Sequence, residues 1–471
     1  MKLLIVDTFY GPYLQRLYAD GALAGQSWAQ QHRAHFAGGF GTGDAYSHGL
    51  GLLGVPAIEI VANSAPLQQA WAREHRPELL QLSEQGGQQL FAILEAQIRW
   101  WQPTVLYVQD INWLPAAFLQ HVKPLVQLVV GQNACPLAAG LDLSPYDLLL
   151  TSLPHYVGRF RSQGVKAAYF PIGFDQRLLQ RHRSDGPRSH ALTFVGGLGG
   201  YHSQGTQMLE AIAQQLPLQV WGYGGAQLPA ESTLRQRWQG EAWADAMYGL
   251  LAGSQITLNR HIDIAEQFAN NMRLYEATGM GACLVTDAKA NLATLFEPDQ
   301  EVVTYRTPQE AISKVQQLLA QPADAAAIAA RGQARTLRDH TYNQRMALLV
   351  ELLQRPHPPR QQHILLACSA AAAHHMPVAA RARLKQPQRH HRVTVLSDAA
   401  LDEPALQGVP RWCVPADHTA VEVAGCCLDA LEPTTVITLE PRGAEHSWLG
   451  SLRQQASQQG IAVATKKALA S

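Results

Sequence analysis

The stretch "NNMRLYEATGMGACLVTDAKANLATLFEPDQEVVTY", residues 270–305, switches between two hydrophobic patterns. "MRLYEAT" repeats its apolar residues at helical spacing, whereas "ACLVTD" and "EVVTY" are short runs rich in β-branched residues, as buried strands are. Asn270 or Asn271 is placed to cap the helix, and Gly279 to end it in a left-handed conformation. A helix that stops just before a buried strand, with another strand to follow, is the repeating unit of a parallel α/β sheet. The start of such a helix faces the carboxyl ends of the strands, where open parallel sheets bind ligands. Glu276 on that helix is therefore either a solvated charge or a carboxylate able to accept hydrogen bonds from two vicinal hydroxyls, as a ribose offers.

The same alternation extends in both directions. "ALTFVGG", "LQVWGYG" and "QITLN" precede the stretch, and "TPQEAISKVQQLLA" follows it, where Thr307, Pro308 and Glu310 form a capping box with proline at the first helical position. Further upstream "KLLIV", "AIEIV", "VLYVQD", "LVQLVV", "DLLLTS" and "AAYFPIGF" read as strands, with a helical pattern from Pro77 to Trp101 among them. The polar "QRHRSDGPRSH" separates the two series. The predicted fold class is α/β: two facing Rossmann-like domains, residues 1–178 and 188–355, enclosing a cleft. After "QRPHPPRQQH", the strands "HILLACS", "RVTVLSD" and "TTVITLE" predict an additional small α/β domain at 362–471.

Bulk properties exclude little. The chain has 471 residues, 37 basic and 37 acidic, so no net charge draws it to nucleic acid or an anionic membrane. "MKLLIVD" is too short in its apolar run for a signal peptide, and no run reaches the roughly 18 residues of a membrane span. A cytoplasmic location is expected. Six cysteines lack metal-ligand spacing and are expected to be buried thiols, and the pairs His374/His375 and His390/His391 to be solvated loop residues. No metal site is predicted.

The strong phosphate-loop, nucleophile-elbow, zinc-helix and Asp-x-Asp motifs do not occur. "GTGDAY" at Gly41 follows no strand and reads as a loop entering the helix "DAYSHGLGLLG", with Asp44 as its cap. "TFVGGLGGYHSQGTQMLEAI" runs from a strand through Gly196, Gly197, Gly199 and Gly200 into a helix, so its amides are placed either to meet a phosphate oxygen or merely to form a turn. A helix terminus contributes only about 0.3–1 kcal/mol to an exposed anion. A diphosphate therefore needs cations too, and Arg260 and Arg273 are the candidates, unless they are structural ion-pair partners.

The segment from "NRHIDIAEQFANNMRLYEATGMGACLVTD" to "ARGQARTLRDHTYNQR", with "FGTGDAYSHGLGLLG", "QQAWARE", "YDLLLTSLPHYVGRFRSQGVKAAYFPIGFD" and "FVGG" before it, resembles the CgeB-like (spore-maturation-type) bacterial glycosyltransferases. The resemblance covers about residues 1–355 and is densest from Asn259 to Asp287. It implies a GT-B fold and a hexosyltransferase-like enzyme moving sugar from UDP- or another NDP-sugar, a co-substrate rather than a cofactor, to a glycan, protein or lipid-linked acceptor. Glu276 matches the acid that holds the donor ribose, with Asn259, Arg260 and Asn271 beside it on the donor side. The companion acid eight positions earlier is replaced by Phe268, and the nearest upstream acid, Glu266, is out of register by two, which leaves the sugar and the retention of configuration open.

Arg273 and the Gly196–Gly200 amides are expected to neutralise the leaving diphosphate, without metal. Retaining transfer needs no enzymic base, whereas inverting transfer needs one from the first domain, with Asp110 or His48 as candidates. His261, at a strand end in the best-matched segment, is a further catalytic candidate, and Asp44 and His48 lie on the acceptor side. Glu276→Ala is expected to weaken donor binding without unfolding the protein. Rival readings are a nucleotide-sugar epimerase or hydrolase of the same double fold, and a non-catalytic nucleotide-binding scaffold.

Overall fold

The computed structural model describes residues 1–182, 186–199 and 203–354, together with 362–368, 391–397, 411–413, 435–440, 447–458 and 462–467. It comprises two compact units: Met1–Pro145 with Phe170–Gln354, and Tyr146–Tyr169 with Arg355–Ser471.

In the first unit β1 (Leu3–Asp7), β2 (Ala57–Val61), β3 (Val105–Val108) and β4 (Leu128–Asn133) lie side by side in the order β2-β1-β3-β4, all parallel. β1 is buried along its whole length, which is why "LLIVD" carries no polar alternation. The expected helix from Pro77 to Trp101 is interrupted. Pro77–Gln81 forms a 3-10 turn, Gly86 and Gly87 take positive φ values of 61° and 74°, and the α-helix begins at Gln88. Those glycines adopt left-handed angles without the steric cost other residues incur, so helical periodicity overran a real break. Likewise "LVQLVV" enters its strand at Leu128, after a 3-10 turn at Lys123–Leu125.

In the second unit β5 (Leu148–Thr151) and β6 (Ala167–Tyr169) pair in parallel.

The first unit also holds β7 (His190–Val195), β8 (Gln219–Trp221), β9 (Ser254–Asn259), β10 (Cys283–Asp287) and β11 (Val303–Tyr305), which form a parallel sheet ordered β8-β7-β9-β10-β11. This is the doubly wound order 2-1-3-4-5, whose switch point lies between its first and third strands. A core of Leu192, Ile256, Leu258, Val285, Val303 and Val315 fills one face of the sheet. The helix Pro308–Ala320 begins as expected: Thr307 accepts from the Glu310 amide at 3.1 Å, while the Glu310 carboxylate reaches the Arg306 amide at 2.8 Å.

The helix Tyr342–Gln354 then returns to the first sheet and packs on the helix Ala45–Leu52. Gly49 permits this crossing, since a Cβ there would lie 2.7 Å from Cγ of Met346. In the second unit β12 (Gln362–Cys368), β13 (His391–Ser397), β14 (Arg411–Cys413), β15 (Thr435–Glu440) and β16 (Ala462–Lys467) form a third parallel sheet ordered β14-β13-β12-β15-β16. The observed fold class is α/β, with two Rossmann-like sheets in tandem and a further α/β sheet at the carboxyl-terminal end. His374, His375 and His390 lie outside the described residues. Cys283 is buried as expected, but Cys135 is exposed, because it follows β4 into a loop rather than lying within the strand.

Candidate functional site around Glu276

The switch point between β7 and β9 brings together two strand exits: Val195–Gly199 and Asn259–His261. The helix Met272–Gly279 starts beside them, with Asn271 at its N-cap in extended conformation. Asn271 does not cap through its side chain. Instead its Nδ2 donates to Oδ1 of Asn259 at 2.7 Å and to the Arg260 carbonyl at 3.2 Å, stitching the helix start to the end of β9. Asn259 also donates to Thr286 Oγ1 at 2.9 Å, so the ends of β9 and β10 are held in register. Gly279 does not take the predicted left-handed angle. It remains helical and Gly281 turns the chain at φ 75°; glycine is needed at 279 because the Phe174 ring lies 2.6 Å from where a Cβ would stand.

Glu276 is only 5% exposed. Its Oε2 lies 2.7 Å from Nη1 of Arg273, and its Oε1 accepts from the Tyr248 hydroxyl at 3.2 Å. Arg273 in turn donates through Nε to the Val195 carbonyl at 2.9 Å, so one guanidinium joins the exit of β7 to the carboxylate. Glu276 lines a narrow recess with Gly39, Gly41, Thr42, Gly173, Tyr248 and Tyr342, all from loops and helices. An ionised carboxylate has about four acceptor positions, and two are occupied here. Two acceptor positions remain.

Arg260 takes up a second position at the switch point. Its guanidinium pairs with Asp263 at 3.1 Å and lies over the first turn of the helix Ser203–Ala213, where a Cβ on Gly205 would be 2.3 Å from Nη1. Gly205 thus admits a cation against a helix start, the end at which anions are favoured. The glycine loop itself is less available than expected. The amides of Gly196, Leu198 and Gly199 donate to Trp221 O, Tyr223 O and Thr206 Oγ1, at 2.9 Å each. Gly222 and Gly224 press against this loop at φ 142° and 87°, so the glycines serve close backbone packing between the ends of β7 and β8. Gly197 is half-buried between them, and Gly200 lies outside the described residues.

His261 is 1% exposed, and its Nδ1 is 2.7 Å from Oδ1 of Asp287, while its Nε2 is buried without a partner. Burial alone would raise the Asp287 carboxyl, but the His261 hydrogen bond and charge, with Lys289 at 3.2 Å, hold it below the usual value. Lys289 also donates to the Glu266 carbonyl at 2.7 Å, fixing an exposed Glu266 whose φ of 49° is unusual for a side-chain-bearing residue.

Of the candidates from the first sheet, Asp44 is linked to this recess through Arg177, which also pairs with its lining residue Asp175 at 2.6 Å. Asp44 occupies the N-cap position of its helix but makes no cap. Its Oδ1 pairs with Nη2 of Arg177 at 2.6 Å, a charge-assisted bond that outcompetes a neutral amide. His48 is exposed on the same helix. Asp110 accepts from Thr8 Oγ1 at 3.3 Å and from the Asn112 amide at 3.0 Å, just beyond β3. Asp287, Tyr248 and Gly205 escaped the sequence reading. The position of Asp287 at the end of a buried strand was its one signal, and the others have none without the fold.

The fold and site define a chain whose second Rossmann-like sheet places a buried acid and two arginines around its switch point. Residues 204–351 match the family described as "Glycosyl transferase-like". No curated protein matches the chain. Among solved structures it is similar to a glycosyltransferase from Rickettsia africae ESF-5, at 10% identity and TM-score 0.49 over 75% of this chain and 99% of the other. It is also similar to sucrose-phosphate synthase from Thermosynechococcus elongatus, at 12% identity and TM-score 0.47 over 75% and 98%. A third is Anabaena Alr3699/HepE in complex with UDP and glucose, at 14% identity and TM-score 0.46 over 76% and 100%. No helix among the described residues is long and apolar enough to cross a membrane.

Proposed function

We propose that the chain is a GT-B glycosyltransferase of the CgeB-like type, transferring a sugar from a nucleoside-diphosphate donor bound at the second sheet. The observation that carries this reading is the buried Glu276, with two acceptor positions left, beside a switch point supplied with Arg260 and Arg273. The match of residues 204–351 supports the class, since that segment contains the helix of Glu276 and both arginines. In this reading Glu276 receives the ribose hydroxyls. Arg260, over the helix start at Gly205, meets the diphosphate.

Breaking the anomeric bond leaves negative charge on that diphosphate, and cations fixed before the reaction stabilise it without reorganising. Arg273 is held by Val195 and Glu276, so it acts from a fixed position. His261, oriented by Asp287 through Nδ1, has Nε2 left to hydrogen-bond, and we assign it to the transferred sugar where Phe268 supplies no acid. Transfer is read as metal-independent and retaining, in a cytoplasmic bacterial protein whose partner is the nucleotide sugar and whose domains are those outlined from the sequence.

The test is a calorimetric panel of nucleoside diphosphates against the parent protein and Glu276→Gln. The reading requires one nucleotide to bind the parent with the substitution weakening it at least tenfold. A panel in which none binds would remove the transferase reading, and product analysis with water as sole acceptor separates it from a hydrolase or epimerase.

A further inference from the structure

The first sheet has a switch point of its own, whose chemistry the donor reading leaves unused. The order β2-β1-β3-β4 places it between β1 and β3, whose exits are Asp7-Thr8 and Gln109-Asp110. Thr8 Oγ1 and Asp110 Oδ2 meet across it at 3.3 Å. Two residues further on stands Tyr10, which is 57% exposed.

Exposed aromatic surface is scarce on this chain: among the described residues Tyr10, Trp100 and Tyr223 provide it, and two of these three meet. Tyr10 lies edge-on to Tyr223, with centroids 6.4 Å apart, and edge-on to Trp243 at 5.8 Å. Tyr223 and Trp243 are parallel within 2° at 5.7 Å. Tyr223 follows β8, and its carbonyl accepts the Leu198 amide, so the aromatic group spans the exits of both sheets and is tied by backbone to the glycine loop. Asp7 and Asp110 lie within electrostatic reach of the Tyr10 hydroxyl.

We propose that Tyr10, Tyr223 and Trp243 form a platform for a sugar ring of the acceptor, with Asp110 accepting from its hydroxyls, so that the acceptor is a saccharide. One face of a pyranose is a sheet of C–H groups with positive hydrogens, which matches the negative face of an aromatic ring. Its rim of hydroxyls needs acceptors, and Asp110 keeps acceptor capacity beyond its bonds to Thr8 and Asn112. A cation with the same taste for aromatics and carboxylates is better served by a cage enclosing it on several sides. Here Tyr223 and Trp243 stack, Tyr10 meets both edge-on with Phe40 edge-on behind it at 5.6 Å, and the exposure is concentrated on Tyr10 and Tyr223 rather than enclosed by a cage. This inference rests on the transferase reading for its purpose but not for its test.

The test is saturation-transfer NMR on the full chain with methyl glycosides of glucose, galactose, mannose and N-acetylglucosamine, with and without the nucleoside diphosphate found by calorimetry. At least one glycoside is expected to receive saturation on its ring C–H protons. The effect should fall at least fivefold in Tyr10→Ala and Asp110→Asn and survive in Tyr10→Trp, while nucleotide affinity in Tyr10→Ala stays within twofold. Tyr10 is exposed, so its removal is not expected to unfold the chain, and thermal melts verify this. No response to any glycoside, or an undiminished response in Tyr10→Ala, overturns the proposal. A tenfold loss of nucleotide affinity in Tyr10→Ala overturns it by showing that the platform holds the donor base, and displacement of the glycoside by tetramethylammonium overturns it in favour of a cation site. Absent nucleotide binding with intact glycoside binding would instead count against the transferase reading alone.

Discussion

Arg273 and Glu276 stand one helical turn apart and are joined at 2.7 Å, and the same guanidinium holds the carbonyl at the end of β7. The pair is largely buried, with side chains 15% and 7% exposed. It makes the carboxylate a structural element, and this decides what its removal does.

Glu276→Ala leaves the Arg273 cation and the Tyr248 hydroxyl without their partner. Breaking a buried pair from one side costs about 3–5 kcal/mol. The chain is expected to stay folded, as anticipated from the sequence, but with a loss of that order. Urea denaturation should show a loss of that order for alanine and a smaller one for Glu276→Gln, which can still accept from Tyr248. If glutamine retains more than half of the stability lost by alanine and yet loses nucleotide at least tenfold, binding and folding roles are separated.

Two glycines on either side of the β7 loop should respond in opposite ways. Gly222→Ala would place a Cβ 1.8 Å from the Gly196 carbonyl at φ 142°, and a loss of more than about 3 kcal/mol is expected, because rigid backbone cannot yield. Gly205→Ala meets instead the far end of Arg260, which can swing away, and gains up to about 1 kcal/mol in helix propensity. Its melting temperature should hold or rise while nucleotide affinity falls severalfold. Unchanged affinity would dissociate Arg260 from the diphosphate.

Asp287→Ala deprives the buried His261 ring of its hydrogen-bonded nitrogen, leaving both nitrogens unpartnered. A cost of about 1–3 kcal/mol is expected from the unsatisfied group. Asp287→Asn, which can still accept at Nδ1, should cost less, and comparing chemical denaturation of the two isolates the orienting bond. Equal losses would show that packing, not the hydrogen bond, holds the ring.

Burial pushes the Glu59 carboxyl up to about 7, against the Ser47 hydrogen bonds that lower it and with Asp44 adding to the rise. The folded state then holds a proton that the unfolded chain releases near its ordinary value of 4.5. Stability from this group is thus full below pH 4.5, declines as pH rises through 7, and is level above. Glu59→Gln should remove the decline: close to the parent at pH 4.5, more stable by at least about 1 kcal/mol at pH 8. Melting curves at the two pH values decide it, and a variant no more stable at pH 8 than the parent refutes the assignment.

The sequence by itself determined the alternation of strand and helix, the tandem α/β plan, the capping box at Thr307 and the position of Glu276 on a helix entering β10. These are properties of periodicity and of residues close along the chain, where a local pattern and a local structure share the same cause. The tertiary structure alone decided which glycine turns left-handed, whether Asp44 caps or pairs, and which amides of the glycine loop are spoken for. Each of those outcomes depends on a partner brought in by the fold: Arg177 takes Asp44 from its helix amide, Trp221 and Tyr223 take the loop amides, and Phe174 leaves no room for a Cβ at Gly279. Such contests are won by distance and burial, and both come into existence only when strands far apart in the chain lie side by side.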